Sequence, residues 1–330
     1  MKKWARALLC ALISAVVAVQ AGAQNHVNYA FLWSAAKGMR DLGSLGGSSF
    51  AYAINNKSQV VGCYEFGSGN IHAFLWTDNS GMLDLGTLGG SSSAASGINS
   101  QGQVVGWSVT STGDAHAFFW TAPTGMHDLG TLGGSSSDGA AINDRGEITG
   151  TSAKTSDTHL IAYRQTTAQG MRALGSLGYG ESNGNAINAF GTIVGVSPLN
   201  NNLRPKRAFL RRKGLPMTEL GTLGGYNSAA LGINQSEQVV GWSSLNRVSP
   251  IHAFLWTQDG GMQDLGTLGG QNSAAQAINA AGQIVGFSDL STTNVTHARF
   301  YGLHRIKFRT SARSEGAMPL QRASTTWEKS

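Results

Sequence analysis

Histidine, aspartate and a short run of cations recur along this chain in patterns that invite chemistry. His72, His116, His159, His252 and His297 each introduce a short aromatic or apolar segment. A set of imidazoles at one repeated position reads first as a metal site, because zinc takes imidazole nitrogen at about 2 Å. Equivalent strands of neighbouring sheets lie about 10 Å apart, so one ion cannot gather ligands from several of them. The expected role is a polar partner within each copy, filled by the recurring Asp41, Asp84, Asp128 and Asp264. These carboxylates do not suit general acid–base catalysis, which needs two groups in unlike environments. One copy carries Arg207 for the histidine and Glu219 for the aspartate, a joint change that fits an ion pair.

The cations Arg204, Lys206, Arg207, Arg211, Arg212 and Lys213 form the one candidate binding patch. As function they would contact a polyanion, lipopolysaccharide or phosphate; otherwise they decorate a solvated hairpin. Cys63 follows Val60-Val-Gly62 and reads as a strand residue rather than a nucleophile. No phosphate-binding loop, nucleotide fingerprint, Gly-x-Ser-x-Gly elbow or His-Glu-x-x-His occurs. No catalytic residue, cofactor or metal is expected.

The elements that position these residues follow from an internal repeat. Asp41 to Gly47 returns as Asp84 to Gly90, Asp128 to Gly134, Ala173 to Tyr179, Glu219 to Gly225 and Asp264 to Gly270, at steps of about 45 residues. In one copy, His72 to Trp76 and Gly81 to Leu88 read as strands, as do Ala94 to Asn99 and Gln103 to Ser108. His72, Phe74 and Trp76 point one way and Ala73 and Leu75 the other, so the strand is covered on both faces. The last two strands join through Asn99-Ser-Gln-Gly102, a turn repeated at Asn143, Asn188 and Asn279. Asparagine caps such a turn and glycine takes its positive φ. Asn55 and Asn234 are followed by Ser58 and Glu237 instead, so those turns should be less comfortable. Six copies of four short antiparallel strands predict an all-β, six-bladed β-propeller, with a β-solenoid as the alternative. The chain starts and stops in mid-repeat, which suggests that the strand around Met39 to Leu45 completes the blade begun by residues 272–301.

The ordered motifs His72-Ala-Phe-Leu-Trp76, Asp84-Leu-Gly-Thr-Leu-Gly-Gly90 and Ile98-Asn-Ser-Gln-Gly-Gln-Val-Val-Gly106 resemble the HAF repeat family of extracellular bacterial proteins. The resemblance spans residues 29–301. It implies export and a propeller-like β fold and carries no catalytic residue with it. Kelch and WD40 blades are similar in length, but this chain lacks their tryptophan signatures.

Composition bounds the rest. Charged residues are 13% of the chain and glycines number 45, which suits a turn-rich β protein. The formal charge of +6 resides at the ends: Lys2, Lys3 and Arg6 lie in the first 23 residues, and residues 303–330 are also basic. The repeated segment is close to neutral, so nucleic acid is not an expected partner. Residues 1–23 read as a cleaved signal peptide: a basic start, an apolar run from Ala7 to Val19, and Ala21-Gly-Ala23 before the cut. The expected organisation is therefore leader (1–23), propeller (24–302) and a basic, disordered tail (303–330) of a periplasmic or extracellular monomer. The longest and most variable connections lie between the Gln-Val-Val-Gly and His-Ala-Phe strands, on the same end as the Gly-Gly loops. Variable loops on a rigid scaffold favour binding of a surface glycan or protein there. The alternative is a hydrolase or lyase acting on an extracellular polysaccharide.

Overall fold

The computed structural model describes residues 27–67, 69–155, 159–200, 205–290, 297–303 and 307–311, the last two segments as backbone. Every regular element among them is a strand. A hairpin of β1 (Phe31–Ser34) and β2 (Gly38–Asp41) comes first. Blade 1 contains β3 (Ser49–Ile54), β4 (Val60–Phe66), β5 (Asn70–Thr77) and β6 (Gly81–Asp84). Blade 2 contains β7 (Gly89–Ile98), β8 (Val104–Thr110), β9 (Ala115–Thr121) and β10 (Gly125–Asp128). Blade 3 contains β11 (Gly133–Ile142), β12 (Ile148–Lys154), β13 (Leu160–Thr166) and β14 (Gly170–Ala173). Blade 4 contains β15 (Asn183–Ile187), β16 (Ile193–Pro198), β17 (Lys206–Arg211) and β18 (Thr218–Glu219). Blade 5 contains β19 (Ser228–Ile233), β20 (Val239–Ser244), β21 (Ile251–Thr257) and β22 (Gly261–Asp264). Blade 6 contains β23 (Gly269–Ile278), β24 (Ile284–Leu290), β25 (His297–Leu303) and β26 (Lys307–Ser311).

Each blade is an up-and-down antiparallel sheet whose strands pair in chain order, giving six four-stranded sheets. A solenoid coil would pair with its neighbour along the stack; here every ladder closes within its own copy. The turns joining the first two strands of blades 1 to 4, with Gln235 of blade 5, line one shared cavity, so the blades converge on an axis. The all-β, six-bladed propeller read from the repeat is the observed fold.

The core lies between blades. Val61, Ala73 and Leu75 of blade 1 pack against Ala95, Val104, Phe118 and Trp120 of blade 2. The same arrangement joins Val194 and Leu210 of blade 4 to Ala230, Val239 and Phe254 of blade 5. Along the third strand, the residue equivalent to Leu75 therefore faces the following blade, and those equivalent to Phe74 and Trp76 face the preceding one. Apolar residues on both sheet faces are thus explained by coverage on both sides. Cys63 is a buried residue of β4, as its setting implied, with its sulfur 3.3 Å from the Tyr52 hydroxyl.

One expectation needs correction at the ends. Gly38–Asp41 does not complete the last blade: β2 pairs with β1, and β25 takes β26 as its fourth strand. A short hairpin closes at a lower entropic cost than pairing across the whole chain. Lys307–Ser311, within the basic segment expected as a tail, is a strand. The remainder of that tail and the expected leader at 1–23 lie outside the described residues. No helix among the described residues is long and apolar enough to cross a membrane.

Candidate functional site

The recurring polar residues form internal bonds, in nearly the arrangement their pattern suggested. His72 Nδ1 lies 3.0 Å from Asp84, His116 Nδ1 2.8 Å from Asp128 and His252 Nδ1 2.8 Å from Asp264. Arg207 Nε donates to Glu219 at 2.8 Å, so the joint substitution does replace one pair with another. All four recurring aspartates also accept the backbone N–H two residues on: Asp41 from Gly43 and Asp84 from Gly86, both at 2.8 Å, Asp128 from Gly130 and Asp264 from Gly266. Two histidines fall outside the set. The ladder places Ile161, not His159, opposite Ser152, where His116 stands opposite Ser108 and His252 opposite Ser243. Ile161 and Ala173 have lost the polar pair together. In the backbone ladder His297 stands opposite Asp289, one register position away from the others. Among the described residues, no group of three His, Cys, Asp or Glu side chains is placed to hold a metal.

The asparagines do more than form turns. Asn99 Oδ1 accepts from the Gln101 and Gln103 N–H groups, as expected for a cap. Its amide also donates across the blade boundary to the Asn143 carbonyl at 3.1 Å. The same bond links Asn55 to Asn99 at 2.8 Å, Asn143 to Asn188 at 3.0 Å, Asn188 to Asn234 at 3.2 Å and Asn234 to Asn279 at 3.1 Å. Ser58 and Glu237 adopt φ of 59° and 54°, which confirms the strain expected where glycine is missing. Above this relay lies a shallow axial cavity of about 190 Å³, lined by Asn55, Asn99, Asn143, Asp144 and Gln235. Asp144 and Gln235 already accept backbone N–H groups from the preceding blade's turn, at 2.8 and 2.9 Å.

The basic cluster is not one patch. Six residues of β17 at about 3.3 Å each separate its two ends by roughly 16 Å. Lys206 and Arg207 open that strand at the variable-loop end, whereas Arg211 closes it at the opposite, hairpin end, followed by Arg212 and Lys213. Arg204 lies outside the described residues. Arg212 donates to Glu237 Oε2 from Nε and Nη2, at 2.9 and 2.7 Å. Partial burial opposes the Glu237 charge, but the hydrogen bonds from Arg212 and Thr192 and the Arg212 charge outweigh it and hold its carboxyl below the usual range. Arg211 meets a residue absent from the sequence-based set, Arg164 of β13. Arg164 occupies the Leu75 position facing blade 4, and Arg211 the Trp76 position facing blade 3. The available signal was Tyr163-Arg-Gln165 standing where other copies read Phe-Leu-Trp or Phe-Phe-Trp.

The variable-loop end carries aromatic rings that the repeat does not require. Tyr179 and Tyr226, in the Gly-Gly loops entering blades 4 and 5, are 43% and 49% exposed. Tyr179 lies against the His159 ring at 5.4 Å, and the Arg247 guanidinium lies over Tyr226 at 5.6 Å. In blade 1, exposed Phe66 stacks on His72 at 4.1 Å. Tyr179 and Tyr226 are each met by a group from a connection that varies between copies, whereas Phe66 rests on the repeated histidine of its own blade.

No family model and no curated protein matches the chain. Among solved structures, TolB from Acinetobacter baumannii is 11% identical, with 79% of this chain and 68% of that chain covered and a TM-score of 0.48. The gluconolactonase XC5397 from Xanthomonas campestris is 12% identical, covering 72% and 82%, with a TM-score of 0.40. SapL1, a lectin solved with alpha methyl fucoside, is 13% identical, covering 79% and 94%, with a TM-score of 0.42. None of them transfers chemistry to this chain.

Proposed function

We propose that this chain is an exported, non-catalytic propeller that binds a surface glycan through its variable-loop end. The observation that carries this reading is the pair of exposed tyrosines, Tyr179 and Tyr226, on neighbouring blades of that end. A ring held in place by a neighbour loses little freedom on binding, and its apolar face suits the C–H face of a sugar. His159 lies tilted against Tyr179 and Arg247 lies over one face of Tyr226, each adding polar donors next to a ring. The non-catalytic part rests on the repeated imidazoles and carboxylates, which are paired with one another in near-equivalent settings rather than converging on one point. Export is supported by the leader-like residues 1–23, and membership of the HAF repeat family by the three ordered motifs.

The test is glycan-array binding of the purified protein, with a reducing-sugar assay on every glycan captured. The expected result is capture without cleavage. The Tyr179→Ala/Tyr226→Ala double variant should bind at least tenfold more weakly while its unfolding midpoint is unchanged. Binding that survives loss of both rings would overturn the site, and release of new reducing ends would overturn the non-catalytic reading.

A further inference from the structure

The boundary between blades 3 and 4 departs from the apolar pairing that two other boundaries share, and differs from the Phe119–Gln165 and Leu255–Gly302 pairings of the remaining two in placing charge on both sides. Between blades 1 and 2, the facing third-strand positions are Leu75 and Trp120, both buried and packed together. Between blades 4 and 5, Leu210 and Trp256 take the same places. Between blades 3 and 4 they are Arg164 and Arg211. Thr149 also stands where the other second strands carry Val61, Val105, Val194 or Val240. Two cations therefore occupy a position that leucine and tryptophan fill elsewhere in the same molecule. Glu147, buried on the adjoining turn, is the nearby carboxylate, and it forms no ion pair within 4.0 Å of either guanidinium among the described residues. Its Oε2 instead accepts from Asn143 at 2.9 Å.

The next boundary is an internal control. There a single guanidinium, Arg212, meets a single carboxylate, Glu237, at 2.7 Å, and charge and donors are both satisfied. At the blade 3–4 boundary, Arg164 reaches the Gly191 carbonyl through Nη2, but its Nε and the Nε of Arg211 are buried without a partner. A guanidinium presents five N–H donors, and leaving buried donors unmet costs about 1–3 kcal/mol each. Like charges facing one another across a boundary add to that cost unless an anion lies between them. Burial and the charge of Arg211 both weaken Arg164's hold on its proton, and Glu147 opposes them only in part. Phe190, the residue before Gly191, is 58% exposed.

We infer that the notch between blades 3 and 4, at the hairpin end, binds one oxyanion group held between the guanidinium groups of Arg164 and Arg211. Planar forks of this kind match the paired oxygens of a carboxylate, sulfate or phosphate. The site is separate from the proposed glycan surface, which occupies the opposite end of the blades.

Isothermal titration of the purified protein tests this, using inorganic phosphate, sulfate and galacturonate against a chloride background of constant ionic strength. The expected result is saturable binding at one site. Arg164→Leu/Arg211→Trp, which introduces the residues found between blades 1 and 2 and between blades 4 and 5, should weaken binding at least tenfold while the unfolding midpoint stays equal or rises. The single variant Arg211→Gln should weaken it at least fivefold, and Arg212→Gln should leave it intact. Binding of phosphate and sulfate without galacturonate supports the site and assigns it a tetrahedral ester; galacturonate alone supports it and assigns a carboxylate. No saturable binding by any of the three, or equal affinity in the restored variant, would overturn the inference. Glycan capture at Tyr179 and Tyr226 should be the same in all these variants, so the two sites fail separately.

Discussion

A single amide side chain makes four bonds in this protein. Asn143, 5% exposed, accepts from the Arg145 and Glu147 N–H groups and donates to Glu147 and to the Asn188 carbonyl of the next blade. Asn279 forms the same turn but is exposed, and its amide donates only to its own Gln283 among the described residues. Asn143→Ala should therefore cost about 3 kcal/mol in urea unfolding and Asn279→Ala about 1 kcal/mol, because only the first leaves buried groups on two blades without partners. Equal losses would show that the bond between blades contributes nothing. The turn half of this role was legible, since asparagine before glycine has a local cause. The half that reaches the next blade was not, because it depends on how two copies face each other. Similarly, the His–Asp and Arg–Glu pairs could be read from joint changes within a copy, whereas the meeting of Arg164 with Arg211 crosses a blade boundary.

Among the elements, the second strand of each blade explains a glycine that a strand would ordinarily avoid. Gly62, Gly106, Gly150, Gly195, Gly241 and Gly286 each lie opposite a point where the first strand shifts register. There the first strand carries one extra residue, and a Cβ on Gly195 would overlap the Asn183 carbonyl oxygen. Gly195→Ala should lower the unfolding free energy by about 3 kcal/mol or more, since backbone and not a mobile side chain must move. A loss below about 1 kcal/mol would mean that the bulge relaxes. Strand number and alternation were legible because period-two patterning was strong in every copy. The bulges were not, and neither was the position of His159: residues added before β13 leave the spelling of the motif similar while Ile161 takes the ladder position. The division of the basic cluster was missed for a related reason, since proximity in sequence along a strand means separation in space.

At the scale of the whole molecule, the same residue types meet different fates according to whether a neighbouring blade covers them. Trp76 and Phe74 in blade 1 are 3% and 0% exposed, whereas Trp33 and Phe31 in the β1–β2 hairpin are 61% and 49% exposed. The hairpin keeps the blade register, with Phe31 opposite Asp41 as Phe74 is opposite Asp84, and Ala30 N–H still reaches Ser49 across the boundary at 2.9 Å. Trp76→Ala should therefore cost about 3–5 kcal/mol and Trp33→Ala less than about 1 kcal/mol, read from urea midpoints. Comparable losses would mean that the hairpin is covered in solution as the other blades are. The repeat made the architecture legible, yet it could not say how the two ends of the chain finish, because half a copy is equally compatible with several partners.

The relay of asparagines runs in one direction only, each amide reaching forward to the carbonyl of the copy that follows. Every junction it makes is therefore interchangeable with the next. Insertion or excision of one whole copy leaves each remaining amide facing an equivalent acceptor. A gene that grows or shrinks by single units can produce chains that still connect through this relay, while junctions with their own residues, such as Arg164 facing Arg211 or Arg212 bound to Glu237, are places such editing would not restore.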